Sequence, residues 1–517
     1  MKRFWLLALL TFSALSLTSV TVAQEDDELV IAFQGGAVTI DPHGRNETTT
    51  LGWQRHIFEP LTFFAPDGSL IPVLATGWEN IDELTWHVDI RTDVLFHDGT
   101  PMTAADVAFS MIRAAQDPNS QMRGGIGQVA EASVIDEDTV EVITSSPDPL
   151  LPRNLERVTI MPQALFEEQG DAFFENPIGT GPYTFVSWLT GDNLVLEAFP
   201  DYWGEQPDFA NVRLVNIPNG ATRVAALLSG EVDIAEKVLP QDFERVNNSG
   251  VATISQTPGQ RVIYFAMDFE RVEGSQGMLD GDPNPFVDVR ARQAVYQAIN
   301  VDAIVARVMG GAATVASQFD PPTNEGYNPA IERLPYDVEA ASALLAEAGV
   351  ETPLRIRLDA PNDRYLNDAL IAQAIAGMLA DIGFEVEVNT TPRAVFFPQL
   401  NEFDFTMFLA GWGSSNTVQT MRNLLHTRDT EGTGFGGTNR IRHSDPDVDA
   451  LIAEAGAAFD PEARQQLLWE AMGIAQLENF AYIPLHYENV IAGVSDDVEY
   501  TARYNEYIFA AEVSRAE

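Results

Sequence analysis

Cysteine is absent from all 517 residues, which excludes disulfides, thiolate metal sites and a thiol nucleophile. A lipid-modified N-terminal cysteine goes with them, so no lipid anchor is expected. Lysine is nearly missing: of 30 basic residues only Lys2 and Lys237 are lysine, against 76 acids and a net charge of −46. Such a surface repels nucleic acid and anionic membranes, and neither is an expected partner. After an apolar run from Phe4 to about Val20, no stretch offers the roughly 18 uninterrupted apolar residues of a spanning helix. Catalytic signatures are missing as well. There is no Gly-x-Ser-x-Gly, no His-Glu-x-x-His and no Gly-x-x-x-x-Gly-Lys, so the chain reads as a binder rather than an enzyme, with no cofactor expected.

What is present begins with an export signal. Lys2 and Arg3 precede the apolar run, and Thr21-Val22-Ala23 supplies a small-x-Ala cleavage site. Removing 23 of the 517 residues leaves 494, too many for one core, so at least two domains are expected. An exported, freely diffusing monomer suits a periplasm. The acid excess with lysine depletion fits adaptation to a salty medium, where screening relieves self-repulsion, or merely an acidic protein from a lysine-poor proteome. Salt adaptation predicts a melting temperature that rises from millimolar to molar salt; a fall excludes it.

Periodicity points to α/β architecture with largely parallel sheets. Strand-like runs occur at Leu29 to Phe33, Thr85 to Ile90, Val140 to Ile143, Asn193 to Glu197, Val212 to Ile217, Val262 to Ala266, Leu354 to Leu358 and Phe384 to Val388. Helical spacing covers Thr103 to Ala115, Asp288 to Met309, Asp337 to Ala348, Asn367 to Ile382, Asp447 to Ala455 and Pro461 to Gln476. Thr103 with Asp106 reads as a capping box, and Gly310, Gly349, Gly383 and Gly456 stand where helices should stop. The Gly/Asp/Pro-rich segment Glu270 to Asn284 reads as a linker or long loop.

Three dense blocks stand out: FHDGTPMTAADVAFS (Phe96 to Ser110), NPIGTGPY (Asn176 to Tyr183) and FPDYWGE (Phe199 to Glu205). With LATGW (Leu74 to Trp78), ALLSGEVDIA (Ala226 to Ala235), PFVDVRARQAVYQAIN (Pro285 to Asn300) and YDVEAASALLAEAG (Tyr336 to Gly349), they resemble the extracytoplasmic solute-binding proteins of ATP-binding-cassette importers, in the peptide/nickel/oligosaccharide class, family 5. The resemblance spans essentially the whole chain after the signal. It implies a two-lobe periplasmic-binding-protein fold of type II, with an extra subdomain inserted in the first lobe. By analogy, residues 24–58, 178–267 and 486–517 form lobe I, 59–177 the insert and 268–485 lobe II, after a signal peptide at 1–23. It further implies a peptide or oligosaccharide held between the lobes and handed to a membrane permease.

Candidate ligand contacts follow from the same resemblance. A Gly-Trp pair after a buried strand lies at the interlobe cleft in the family, and peptide binders usually place an aspartate a few residues later for the ligand's ammonium. Here the segment is Gly411-Trp412-Gly413-Ser414-Ser415-Asn416, with no acid before Glu431. Either another acid supplies the counter-charge or the ligand is not a free-amine peptide. Trp412 with Ser414, Ser415 and Asn416 would suit a sugar, or Trp412 is simply core. Arg364 and Tyr365 border the cleft by analogy; Arg364 would neutralise a ligand carboxylate or pair with Asp363 or Asp359. Gly35 and Gly36 would let a ligand approach backbone amides, or merely turn the chain.

Bland readings compete elsewhere. NPIGTGPY reads as a structural turn rather than a phosphate loop. Gly432 to Gly437 matches Gly-x-Gly-x-x-Gly only formally, without the flanking strand and helix. Nickel capture, known in the wider family, would fall to His43 or His443, and a secreted hydrolase is a distant alternative.

Overall fold

The computed structural model describes residues 28–273, 276–362, 364–414, 416–429 and 435–516. The expected leader segment 1–23, Ser415, Asp363 and residues 432–434 of the Gly-rich match lie outside them. One sheet of 11 strands runs through both lobes, and two long antiparallel strands, Ala252–Met267 and Tyr482–Ser495, form its middle. Residues 252–258 of the first pair with 489–495 of the second, and 262–266 pair with residues between 482 and 487. Between Pro258 and Val262 the register breaks. A Cβ on Gly259 would lie 2.5 Å from the Glu488 carbonyl oxygen, so this crossing admits only glycine.

On one side of the crossing the sheet continues through Ile234–Glu236, Glu28–Phe33, Asn211–Asn216, Asn193–Ala198 and Tyr183–Leu189. On the other it continues through Met407–Gly413, Leu354–Pro361 and Phe384–Thr391. Leu29 to Phe33 is buried throughout, as an apolar run flanked by two parallel neighbours must be. Largely parallel sheets were the expectation, and the structure corrects it. The long crossing pair, the hairpin from Tyr183 to Ala198 and every pairing in the smaller sheet are antiparallel.

That smaller sheet has four strands in the order Ala75–Asn80, Thr85–Ile90, Thr139–Thr144, Val129–Val134. The helix Ala104–Gln116 covers it, and Thr103 and Asp106 form the expected capping box. Gly310, Gly349 and Gly383 do take left-handed φ of 57°, 74° and 91° at helix ends. Gly456 does not: it lies inside the helix Pro446–Ala457, where a Cβ would meet the Arg422 guanidinium at 2.9 Å. The helix expected from Asp288 to Met309 is two, Val289–Ala298 and Val301–Arg307, because the Asn300 side chain caps the second by accepting from the Ala303 N–H. At the end of the segment expected as a linker, the Asn284 amide donates to the Asp268 carbonyl at 2.8 Å.

The three dense blocks meet at one place. Gly181 N–H donates to Ile57 O at 2.9 Å, His97 N–H donates to Gly179 O at 3.0 Å, and His97 Nε2–H reaches Gly181 O at 3.0 Å. The His97 ring stands edge-on to Phe199, 5.0 Å away. Beside it the buried Glu59 carboxyl accepts from Tyr202 OH at 2.7 Å and Trp203 Nε1 at 2.9 Å. NPIGTGPY is therefore the joint at which the smaller-sheet region rejoins the main sheet.

Candidate functional site

A cleft of about 810 Å³ opens over the strand crossing. Gly259, Arg261, Glu488 and Asn489 line it from the crossing itself. Gln34, Gly35, Glu47 and Lys237 come from one side, and Arg364, Tyr365, Leu366 and Arg393 from the other.

Charge dominates the lining. Arg261 reaches Glu488 at 3.2 Å and Glu506 at 3.3 Å, while Lys237 reaches Glu236 at 3.5 Å and Glu506 at 3.7 Å. Glu236 also accepts from the Gln34 N–H at 2.8 Å, and Glu488 from the Leu366 N–H at 3.1 Å. Burial pushes the Glu488 carboxyl up. Burial pushes Glu506 the same way, but Lys237 and Arg261 beside it outweigh that and hold it below the usual range. Glu236, ahead of the opposing burial, holds the Lys237 ammonium high.

Two of these residues sit in left-handed backbone, Lys237 at φ 52° and Glu506 at φ 68°. Such strain in a non-glycine residue persists only where its surroundings enforce it. For Lys237 the enforcer is buried Arg223, whose guanidinium donates to Glu236 O at 2.9 Å, Ile217 O at 2.7 Å and Lys237 O at 3.2 Å. The turn that presents Lys237 is held from beneath.

Of the residues singled out in the sequence, Gly35, Arg364 and Tyr365 line the cleft. Arg364 has no ion pair among the described residues; its guanidinium stands 5.1 Å from the Tyr365 ring centre. Gly36 faces inward, where a Cβ would touch the Trp53 ring at 3.2 Å. Trp412 is half-buried on the lobe II core cluster beside Phe408 and Ala410, and its Nε1 donates to Thr420 Oγ1 at 3.1 Å. Gly413 pairs with Arg261 across the strands. Ser414 O accepts from Asn324 Nδ2 at 2.7 Å, and Asn416 caps the helix Thr417–Leu424 through Gln419 N–H. This segment thus backs the cleft wall: Gly411 O holds Tyr365 OH at 3.1 Å, and Gly413 lies opposite Arg261.

The two nickel candidates are corrected by burial. His43 Nε2–H donates to Thr159 O at 3.1 Å while Nδ1 accepts from the Arg113 guanidinium at 2.9 Å. His443 Nδ1–H donates to Leu425 O at 2.7 Å and its Nε2 accepts from Asn479 at 3.1 Å. All four nitrogens are occupied, both rings are buried, and neither lines the cleft. Among the described residues no cluster of three or more His, Cys, Asp or Glu could hold a metal ion.

The smaller-sheet region also touches residues from the second half of the chain. Phe459 packs on the core of the smaller-sheet region, with its ring 6.1 Å from Trp86, and Leu150 packs on the lobe II core. A Cβ on Gly68 would lie 2.3 Å from the Thr323 carbonyl oxygen.

Comparison with known proteins fits this geometry. Residues 69–434, well over half of the chain, match the model of the bacterial extracellular solute-binding proteins, family 5. The chain is 27% identical over 448 residues to the dipeptide-binding protein of Escherichia coli (strain K12), covering 81% of each. It is 26% identical over 483 residues to the glutathione-binding protein GsiB of Pectobacterium atrosepticum, covering 91% of this chain and 90% of that one. In fold it is similar to HbpA2 from Haemophilus parasuis, with a TM-score of 0.82 at 24% identity, over 95% of this chain and 100% of that one. No helix among the described residues is long and apolar enough to cross a membrane.

Proposed function

Since the chain belongs to family 5 of the bacterial extracellular solute-binding proteins, the receptors of importers rather than enzymes, we propose that it closes its two lobes on a peptide-like or oligosaccharide solute. The charged cleft is the site, and the closed receptor docks on a membrane permease. It works as a monomer in the periplasm. Lobe I comprises 24–58, 178–267 and 486–517, with the insert at 59–177 and lobe II at 268–485. The hinge is the pair of crossing strands at Pro258 to Arg261 and Glu488 to Asn489, where the register breaks.

The observation that carries this reading is a cleft walled by residues from both sides of a two-strand crossing. A binding-competent closed state is then stabilised by ligand contacts to both walls. The relatives named for dipeptides and glutathione support a small peptide-like ligand.

Gly35, Arg364 and Tyr365 meet the ligand, and Trp412, Gly413, Ser414 and Asn416 act from behind the wall that Tyr365 presents. Phe459→Ala tests closure, because it removes a half-buried ring that joins the second half of the chain to the smaller-sheet region. Native mass spectrometry of the purified protein should show a co-purified solute, and the variant should retain about tenfold less of it at an unchanged melting temperature. Equal retention would exclude that contact from closure, and absence of any solute-dependent mass or thermal response in the unmodified protein would remove the receptor reading.

A further inference from the structure

The two walls of the cleft are joined by a third piece of chain. Beyond the long strand Tyr482–Ser495, residues 500–512 run back over the crossing as a strap, and at the register break Gln260 N–H donates to Tyr504 O at 3.3 Å. Ala502 N–H donates to Ser255 Oγ at 2.9 Å, Arg503 to Phe64 O at 2.6 Å, and Ala510 N–H to His56 Nε2 at 3.1 Å. These anchors lie on the side of the crossing that holds Lys237. Glu506 leaves the strap for the cleft, in left-handed backbone turned by its own N–H onto Arg503 O at 3.2 Å. Its carboxylate meets a cation from each side. Lys237, which follows Ile234–Glu236, stands at 3.7 Å, and Arg261, which pairs with Gly413 of Met407–Gly413, at 3.3 Å. Arg261 is held to that far side again through Glu488, which pairs with Ala313 and accepts from the Leu366 N–H. Arg364, on the far wall, also favours the Glu506 carboxylate. Glu236 and then Glu506 raise the Lys237 ammonium, against burial and against repulsion from Arg261. Without Glu506 two cations face each other across the crossing and lose the anion they share.

Resting on the reading above that the walls move about the crossing, we infer that Glu506 is a positioning residue for closure, a latch that ties Arg261 to Lys237 through the strap and holds the walls near the closed arrangement before a solute binds. Rotation at the register break carries Arg261 away from the strap, because Arg261 belongs to the far strands and Glu506 to the near anchors. A solute then spends less of its binding free energy on closing the cleft.

The test exploits the absence of cysteine. Leu189→Cys, on the edge strand Tyr183–Leu189, and Leu370→Cys, on the helix Asp368–Ala380, replace exposed side chains on opposite sides of the crossing. Spin labels attach at these two thiols alone. Pulsed electron resonance on dialysed protein, at one salt concentration, reads the distance between the walls. In Glu506→Gln, which keeps the shape of the side chain, the ratio of open to closed distances should rise about tenfold. Adding Lys237→Gln removes one of the two facing cations and should recover part of that change, a rescue that a merely structural role would not give. Distances unchanged by Glu506→Gln, or a shift that Lys237→Gln does not reverse, overturn the latch and leave the receptor reading to the native mass spectra. A shift with rescue alongside spectra free of any solute supports the latch and removes the receptor reading.

Discussion

Lowering the pH from 7 to 4 in 0.5 M sodium chloride is expected to reduce the stability of the folded chain by roughly 5 kcal/mol, and its melting temperature by about 5 °C. The cause is a set of histidines folded in as neutral rings. Burial pushes His43 and His56 down from 6.5 to about 4 and His486 to about 3. For His43 and His56 the neutral tautomer is built into the hydrogen bonding. His56 Nδ1–H donates to Gly52 O at 2.9 Å while Nε2 accepts from the Ala510 N–H at 3.1 Å, and a second ring proton would set two donors face to face. A proton on His43 Nδ1 would face the Arg113 guanidinium. Among the described residues His486 has no hydrogen-bond partner on either nitrogen.

The direction follows from linkage. Between pH 6.5 and 4 the unfolded chain takes up protons that these folded histidines refuse, so the stability they contribute is complete above 6.5 and is lost as pH falls. Each is worth up to about 3 kcal/mol at pH 4. Glu59 opposes them, because burial raises its carboxyl from 4.5 to about 7; its contribution is present below 4.5 and lost as pH rises through 7. Falling net charge also relieves self-repulsion on acidification, which is why the salt is specified. Scanning calorimetry from pH 4 to 8 decides the matter. A melting temperature that is flat or rises on acidification would sink the account.

Gly179→Ala is expected to cost about 3 to 5 kcal/mol or to prevent folding, although it adds one methyl group. The added Cβ would lie 2.0 Å from Ile57 O and 2.8 Å from Ile57 C, and both are backbone atoms held in the joint. Nothing there can swing aside. Gly377, inside the helix Asp368–Ala380, has nothing within 4 Å of a built Cβ, so Gly377→Ala should stabilise by about 1 kcal/mol through helix propensity. Denaturant titration of the two variants should therefore move the midpoint in opposite directions. A tolerated Gly179→Ala would mean that the joint is looser than its geometry.

Where local pattern and packing agree, the sequence was legible. Thr85 to Ile90 alternates and lies in a half-buried sheet, and Thr103 with Asp106 caps a helix because both partners lie within one turn. It was illegible where a distant partner decides. Ala252 to Pro258 is mostly polar and is a strand only because Asn489 to Ser495 runs beside it. The cleft shows the same division. Arg364 and Tyr365 were reachable through the resemblance and Gly35 through its place after the first strand, but Lys237, Arg261, Glu488 and Glu506 come together from four distant segments, and only the rarity of lysine marks Lys237. For Trp412 a usable signal existed. Phe408, Ala410 and Trp412 share one strand face, and period-two counting puts the indole on the core side, with Gly411 and Gly413 on the other.

The joint at NPIGTGPY has one more consequence. The chain departs the main sheet at Ile57 and comes back at Gly181, one hydrogen bond away, while Ile160 N–H donates to Glu59 O at 3.0 Å alongside. Topologically everything between is a side branch whose stem is already closed. Its length is therefore nearly free of loop-closure entropy, which grows only with the logarithm of the loop. Segments of very different size could be spliced onto this stem without disturbing the order of strands in the sheet that holds the cleft.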